Sequence, residues 1–420
     1  MMLIDHFFAR AVRRGQLTIN HADGSVRSFG APDPALAPVA VRLGKGAAAQ
    51  ILRDPGLGAA EAYMDGRLTI EQGDIRDLLR LITANNRWEE GSAALSPTPL
   101  RRLAGAVAHR IGRINMARRS KRNVAHHYDL SGRLYELFLD PDRQYSCAYF
   151  TDPANCLEQA QADKKAHIAA KLALKPGMRV LDIGCGWGGM ALYLHEKTGA
   201  EILGITLSEE QLAVARRRAL DSGVADKVKF ELIDYRHLTG EFDRIVSVGM
   251  FEHVGTHFYR TFFRKCRSLL TDDGVMLLHT IGRAGAPGVT DAFTQKYIFP
   301  GGYIPALSEI ARGYEGMRFF VTDVEVLRLH YALTLGHWYD RTLAARDEIV
   351  QLYDERFWRM WLFYLAGCQV SFENGGLVNY QLQFARSRQT LPLTRNYMAE
   401  AEAALWEPAA EQHLLFAQAG

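Results

Sequence analysis

The chain has 420 residues, with 50 Lys and Arg against 47 Asp and Glu and a formal charge of +3, so its overall field pulls only weakly on acidic partners. Hydrophobic residues make up 48% and charged residues 23%, an ordinary globular composition with room for two or three domains and a large core. The five cysteines, Cys147, Cys156, Cys185, Cys266 and Cys368, form no CxxC pair, which excludes a disulfide framework and a cysteine zinc site. No metal site is expected.

The N-terminus, MMLIDHFFARAVRRG, has no apolar run long enough for a signal peptide or a membrane span. A cytoplasmic enzyme that reaches its substrate from the cytosol is therefore expected. Residues 1–95 read as a small α+β unit. Gln16–Ile19 and Ser25–Phe29 flank the turn Ala22-Asp23-Gly24 as a hairpin, Val39–Leu43 reads as a further strand, and helical patterns follow at Gly58–Met64 and Ile75–Ala84. GSAALSPTPL at 91–100 is a linker signal. Residues 96–122 then read as a basic helical linker. Arg101, Arg102, His109, Arg110, Arg113, Arg118, Arg119, Lys121 and Arg122 are its only charged residues. That run fits a solvated helix face or a docking surface for anionic lipid. It lacks the interleaved aromatics that nucleic-acid readers commonly use.

The catalytic domain is expected over 123–420. From 178 onward strands and helices alternate. Strands are predicted at Met178–Ile183, Glu201–Leu207, Val228–Ile233, Phe242–Val248 and Val275–Thr280. Helices are predicted at Gly188–Lys197, Ser208–Ser222 and Phe258–Leu270, the second opened by a capping box of Ser208 with Gln211. This alternation predicts a doubly wound parallel sheet.

The sharpest local signal is Val180-Leu-Asp-Ile-Gly-Cys-Gly-Trp-Gly-Gly189, in which Gly184, Gly186 and Gly189 satisfy GxGxxG. Two features argue against a dinucleotide. Asp182 stands in the strand just before the glycines, where it would repel phosphate. The second strand ends Gly204-Ile-Thr-Leu-Ser208 without the acid that a dinucleotide fingerprint places there. No Gly-Lys-Ser/Thr follows, so a P-loop is excluded. An acidic strand end suits a cationic, phosphate-free ligand such as S-adenosylmethionine. Asp182 also has a second possible use, bonding the loop amides.

Several segments together resemble the cyclopropane-fatty-acid synthases and mycolic-acid cyclopropane synthases. They are His127-Tyr-Asp-Leu130, Gln144-Tyr-Ser-Cys-Ala-Tyr-Phe150, Asp182–Gly189, Gly204-Ile-Thr-Leu-Ser-Glu-Glu-Gln211, Ser247-Val-Gly-Met-Phe-Glu-His-Val-Gly255, Leu278-His-Thr-Ile-Gly282 and Lys296-Tyr-Ile-Phe-Pro-Gly301. The likeness runs from about 120 to 390. The first hundred residues resemble the N-terminal extension of the members that act on phospholipid. The resemblance implies a class I S-adenosylmethionine-dependent methyltransferase fold, Rossmann-like α/β, behind a small α+β domain. It also implies methyl transfer to the cis double bond of an unsaturated phospholipid acyl chain, closure of a cyclopropane ring with bound bicarbonate as base, and a homodimer; the basic run adds the expectation of peripheral association with the inner face of the membrane.

Carried over by motif, the bicarbonate site would be Cys147, Glu252, His279, the backbone of Ile281, and Tyr331. Each has a plainer reading. Cys147 also reads as a buried apolar cysteine, His279 as a satisfied core histidine and Glu252 as a helix-start carboxylate. His330 and Tyr339 rival Tyr331. The donor site would be Tyr145 and Ser146 near the methionine part, Asp182, Gly184 and Gly186 in the loop, Thr206, Leu207 and Gln211 around the ribose, and Asp234 and Tyr235 near the adenine. Cys368, at a position proposed as active in the family, reads also as core packing. The aromatic run 351–364 reads as core or as the lining of an acyl-chain tunnel, and Phe293, Tyr297, Phe299 and Tyr303 as a lid. Two rivals remain: a fatty-acyl C-methyltransferase leaving a methyl or methylene branch, and a small-molecule methyltransferase.

Overall fold

The computed structural model describes residues 3–91 and 130–406. The basic segment 101–122 and His127–Asp129 lie outside the described residues. Two compact units emerge, and neither is continuous in sequence. One takes Met1–Phe138, Val289–Gly302 and Tyr331–Leu377; the other takes Leu139–Gly288, Tyr303–His330 and Val378–Gly420.

The first unit holds a four-stranded sheet of order β2-β1-β3-β4, formed by β1 (Leu17–His21), β2 (Val26–Phe29), β3 (Val39–Leu43) and β4 (Leu68–Gln72). The expected hairpin is present: β1 and β2 pair antiparallel across a turn whose Gly24 has φ 85°. β3 lies parallel to β1, and the unanticipated β4 pairs antiparallel to β3. The aromatic run at 351–364 begins at the end of helix Arg346–Leu352 and continues into helix Glu355–Glu373. Asp354 caps the second helix by accepting from the Phe357 N–H at 2.6 Å. Met360, Trp361 and Leu362 are buried, and Phe138 packs against Trp361 and Trp338 with ring centroids 5.6 and 5.8 Å away. Arg80 ties this helix to the N-terminal segment through a two-pronged bond to Glu373, at 2.7 and 2.9 Å.

The second unit is built on a seven-stranded sheet of order β10-β11-β9-β8-β5-β6-β7. Its strands are β5 (Arg179–Ile183), β6 (Glu201–Thr206), β7 (Val228–Leu232), β8 (Phe242–Val248), β9 (Leu270–Arg283), β10 (Phe320–Leu327) and β11 (Leu377–Ala385). The run β7-β6-β5-β8-β9 is parallel throughout, as the strand-helix alternation predicts. The purely parallel sheet is corrected at the other end. β10 pairs antiparallel to β11. β11 also opposes β9: Arg386 N–H donates to the Gly274 carbonyl, while Asn379 reaches His279, so the two numberings run in opposite senses. The sheet is therefore mixed.

Both faces are covered, and the period of two sorts the strand residues between them. Val180, Val246 and Leu277 join a core with helices Leu157–Leu172, Gly189–Thr198 and Glu209–Asp221. Leu181, Ile183, Ile245, Met276 and Leu278 join another with helix Tyr259–Leu269. Gly204 in β6 lies under the Phe230 ring, where an added Cβ would come within 2.6 Å of the ring and 2.9 Å of the Cys185 Cβ. Gly204→Ala is accordingly expected to cost about 1–3 kcal/mol through overpacking, read as a lower urea midpoint at unchanged slope.

Candidate active site

The carboxyl ends of β5, β6, β8 and β9 carry Gly184, Gly186, Thr206, Leu207, Glu252, His279 and Ile281 among the residues singled out in the sequence. In an open α/β sheet this is the ligand-binding edge. β5 ends in the glycine loop. Gly184 and Gly186 have φ 86° and 52°, left-handed values that let the chain turn into helix Gly189–Thr198. The loop is pinned by Gly184 and Cys185 N–H groups donating to the Ile205 carbonyl at 2.9 and 3.0 Å.

Asp182 is buried in β5, and its Oδ2 has no hydrogen-bond partner. Burial pushes its carboxyl up to about 7, against the pull of the Lys164 ammonium. A buried carboxyl with an orphan oxygen, placed before a phosphate-repelling loop, fits a cationic methyl donor. At the end of β6, the Thr206 hydroxyl donates to Gln211 Oε1 at 3.1 Å and accepts from Ser208 N–H at 3.2 Å, while Gln211 N–H donates to Ser208 Oγ at 3.3 Å. The expected capping box is thus half formed. Gln211 turns its side chain to Thr206, and Thr206 takes the Ser208 N–H that Gln211 was expected to bind. Leu207 is exposed beside them. Past β7, Asp234 is held by Arg236, and Tyr235 sets its ring edge-on to Phe262 at 5.4 Å.

The loop 144–150 is laid along helix Leu157–Leu172. Gln161 donates to the carbonyls of Gln144 and Ser146 at 3.1 and 3.0 Å. One turn on, Lys164 is wholly buried and donates to Gln144 Oε1 at 2.7 Å and Ser146 Oγ at 2.8 Å. Burial lowers its ammonium to about 8. One turn further, His167 stacks on Tyr149 at 4.0 Å. Tyr145 is half-buried, and Cys147 is buried with its thiol 3.3 Å from the Ala148 carbonyl. Sequence reasoning missed Lys164, because Asp163-Lys164-Lys165 looks like a solvated face.

Glu252 lies in a short helical turn after β8, and its Oε1 accepts from the Ile281 N–H of β9 at 2.6 Å. Oε2 is buried with no hydrogen bond of good geometry, and burial raises the carboxyl above its usual range, outweighing its own backbone N–H, the Ile281 N–H and the nearby Thr280 hydroxyl. Glu252 and Ile281 are therefore brought together as expected. His279 is wholly enclosed. Its Nε2 and Nδ1 lie 2.8 and 3.1 Å from the side-chain amides of Asn379 and Gln381, and burial pushes it well below the ordinary histidine range. It is thus neutral with both nitrogens engaged, the satisfied core histidine of its plainer reading.

Tyr331 and Cys368 belong to the first unit. Tyr331 packs its ring against Trp338 and Phe372, and Cys368 is a thiol that burial pushes up to about 12. Of the rivals, His330 stacks on Tyr149 and accepts from the Phe150 N–H at 2.9 Å, while Tyr339 lies under the Arg76 guanidinium. The lid segment divides. Tyr297 and Lys296 both engage Glu61 in the first unit, while Tyr303 N–H donates to the Glu252 carbonyl at 3.0 Å in the second. Among the described residues no cluster suits a metal ion, and no helix is long and apolar enough to cross a membrane.

A seven-stranded α/β sheet with an acidic first strand, a glycine loop and a polar second-strand end defines a class I S-adenosylmethionine-dependent methyltransferase. The profile of the family described as mycolic acid cyclopropane synthetase matches residues 115–382, and the chain belongs to that family. It is 40% identical over 341 residues to the cyclopropane-fatty-acyl-phospholipid synthase of Escherichia coli (strain K12), covering 80% of this chain and 85% of the relative. It is 38% identical, with the same coverage, to a probable fatty acid methyltransferase of Pseudomonas putida. It is 34% identical to the tuberculostearic acid methyltransferase UfaA1 of Mycobacterium tuberculosis, over 88% of each chain. Among solved structures, mycolic acid cyclopropane synthase CmaA1 complexed with SAH and CTAB superposes with a TM-score of 0.60 at 35% identity, covering 63% of this chain and 97% of that one.

The buried Asp182 makes the ligand-free protein pH-sensitive. Between about pH 4 and about pH 7 the unfolded chain has released this proton and the folded chain keeps it. Stability therefore falls as pH rises through that window. Asp182→Asn should flatten this part of the profile in urea unfolding at stepped pH. Donor affinity of the wild-type protein should rise as pH passes about 7 and the carboxylate forms.

Proposed function

We propose that the chain transfers the methyl carbon of S-adenosylmethionine to the cis double bond of an unsaturated phospholipid acyl chain and closes a cyclopropane ring. The observation that carries this reading is Glu252, a buried carboxyl with one oxygen on the Ile281 N–H and the other without a partner. The alkene π pair attacks the methyl carbon, and the carbon–sulfur bond breaks. Charge is left on the neighbouring chain carbon. Loss of a proton from the new methyl group then supplies the electron pair that closes the ring. A bound bicarbonate is the base in this reading. It carries one O–H, and Glu252 Oε2 is the buried acceptor lacking a donor. Glu252 would hold that O–H and orient the anion. Lys164 would keep Ser146 in place beside the donor, and Asp182 would face its cationic part. Cys147 would stand in the same site, with Thr206, Leu207, Gln211, Asp234 and Tyr235 around the nucleoside.

The phospholipid substrate is supported by the similarity to the Escherichia coli enzyme across most of both chains. A branched product is the second reading, supported by likeness at 38% and 34% identity to a probable fatty acid methyltransferase and a tuberculostearic acid methyltransferase. The protein would act as a homodimer at the inner face of the membrane, held there by the basic segment 101–122.

Mass spectrometry of acyl chains from an expressing host fed methyl-labelled methionine tests the product. A gain of one methylene with loss of the olefin and no branch supports cyclopropanation; a methyl or methylene branch moves the chain to the second reading. Glu252→Gln should lower turnover about 10²–10⁴-fold, the usual span for losing a positioned base, because the anion that Glu252 holds would be lost or misplaced, with donor binding retained by calorimetry. Reversing the charge of Arg118, Arg119, Lys121 and Arg122 should abolish sedimentation with anionic vesicles at physiological salt, each cation being worth about 1 kcal/mol at such a surface.

A further inference from the structure

We infer that Lys171 dictates which ring nitrogen of His279 carries the proton, and that this nitrogen is Nε2. Lys171 lies on helix Leu157–Leu172 and is buried among polar groups. Glu325 of β10 is hydrogen-bonded to its ammonium, and Asp323 stands 3.5 Å away. The ammonium also donates to Gln381 Oε1 of β11 at 2.9 Å.

That last bond sets the rest in sequence. An ammonium has donors only, so the Gln381 amide must turn its oxygen to Lys171 and its NH2 away. The NH2 then faces His279 Nδ1, 3.1 Å off. An N–H needs a lone pair opposite it, so Nδ1 is unprotonated. The neutral ring has one proton left to place, and it sits on Nε2. Asn379 Nδ2 stands 2.8 Å from Nε2. Two N–H groups cannot bond each other, so with Nε2 protonated the Asn379 amide has to be turned over, its oxygen towards the ring. Among the described residues, the fixed reference in this chain of donors and acceptors is the Lys171 charge. Glu325 anchors it from the other side: it also binds His167 Nε2 at 2.6 Å, and His167 Nδ1 binds Glu402 at 3.0 Å. Burial opposes ionisation of Glu325, but His167 and Lys171 override it and hold the carboxyl down at about 2.

Lys171 is therefore a positioning residue that acts through Gln381. On the proposed function, with which this consequence stands or falls, an anion reaching Nε2 meets an N–H, which it takes only by displacing the Asn379 oxygen, and no lone pair. The tautomer itself does not depend on that function.

The test uses full-length protein labelled with 15N-histidine, with the His279 signals assigned by their loss in His279→Gln. Long-range proton–nitrogen spectra should show a pyrrole-type Nε2 and a pyridine-type Nδ1. A pyrrole-type Nδ1, or an imidazolium, overturns the assignment whatever the enzyme makes. Lys171→Met should give averaged ring-nitrogen shifts, as should Gln381→Leu, which leaves the cation in place and covers the case of a misfolded lysine variant. Lys171→Arg should restore the wild-type pattern. Unchanged shifts in the folded Met or Leu variant would show that Lys171 does not set the tautomer. In the lipid assay, kcat should fall about tenfold in Lys171→Met and recover in Lys171→Arg. KM for the donor should stay within about twofold.

Discussion

The second unit depends on how β11 disposes of its buried amides. The strand is covered on both faces, so its residues alternate between two interiors. Val378, Tyr380, Leu382 and Phe384 pack into apolar core on one side. Asn379, Gln381 and Gln383, each at most 1% exposed, face the other. A buried side-chain amide without partners costs several kcal/mol, so each must be satisfied from the neighbouring elements. His279 of β9 takes two of them. Lys171 supplies a donor to Gln381 and a backbone carbonyl to Gln383, which also donates to the Tyr397 hydroxyl at 2.7 Å. This polar seam joins the antiparallel end of the sheet to helix Leu157–Leu172.

That helix then governs the candidate site. Gln161, Lys164 and His167 follow one another at three-residue intervals and hold the loop 144–150 by backbone bonds, side-chain bonds and a ring stack in turn. The same face that satisfies β11 thus also orders the loop bearing Ser146 and Cys147. The electrostatics follow from this enclosure. Asp182 and Glu252 lose solvent and hold their protons more tightly, while Lys164 loses solvent and holds its proton less tightly. Buried groups shifted in this way mark a candidate functional site.

Much of this was legible beforehand. The glycine loop, Asp182 and the five parallel strands were readable because they depend on short-range rules: a buried strand is an apolar run, and a strand-to-helix turn with positive φ needs glycine. Helix Leu157–Leu172 was not readable in this way. Its polar stripe has the same pattern as a solvent-facing surface, and only contact with loop 144–150 and β11 makes it interior. β11 alternates apolar and amide residues, which reads as a half-exposed strand although both faces are covered. The likeness in motifs set Glu252 and Ile281 in one site, and the structure places the two in hydrogen-bond contact. It did not reveal that the ring nitrogens of His279 are already bonded, or that Tyr331 begins a segment of the other compact unit.

The sequence by itself determined the class of protein, because the glycine spacing, the acidic strand end and the order of motifs are local and carry their chemistry with them. The tertiary structure alone decided the direction in which the proton affinities of Asp182, Glu252 and Lys164 are shifted, and the bonding state of His279. These depend on burial and on partners up to a hundred or more residues away in the chain, such as Asn379 and Gln381 on His279. Desolvation and hydrogen bonding are set by what surrounds a group in space, and no pattern of neighbours along the chain records it.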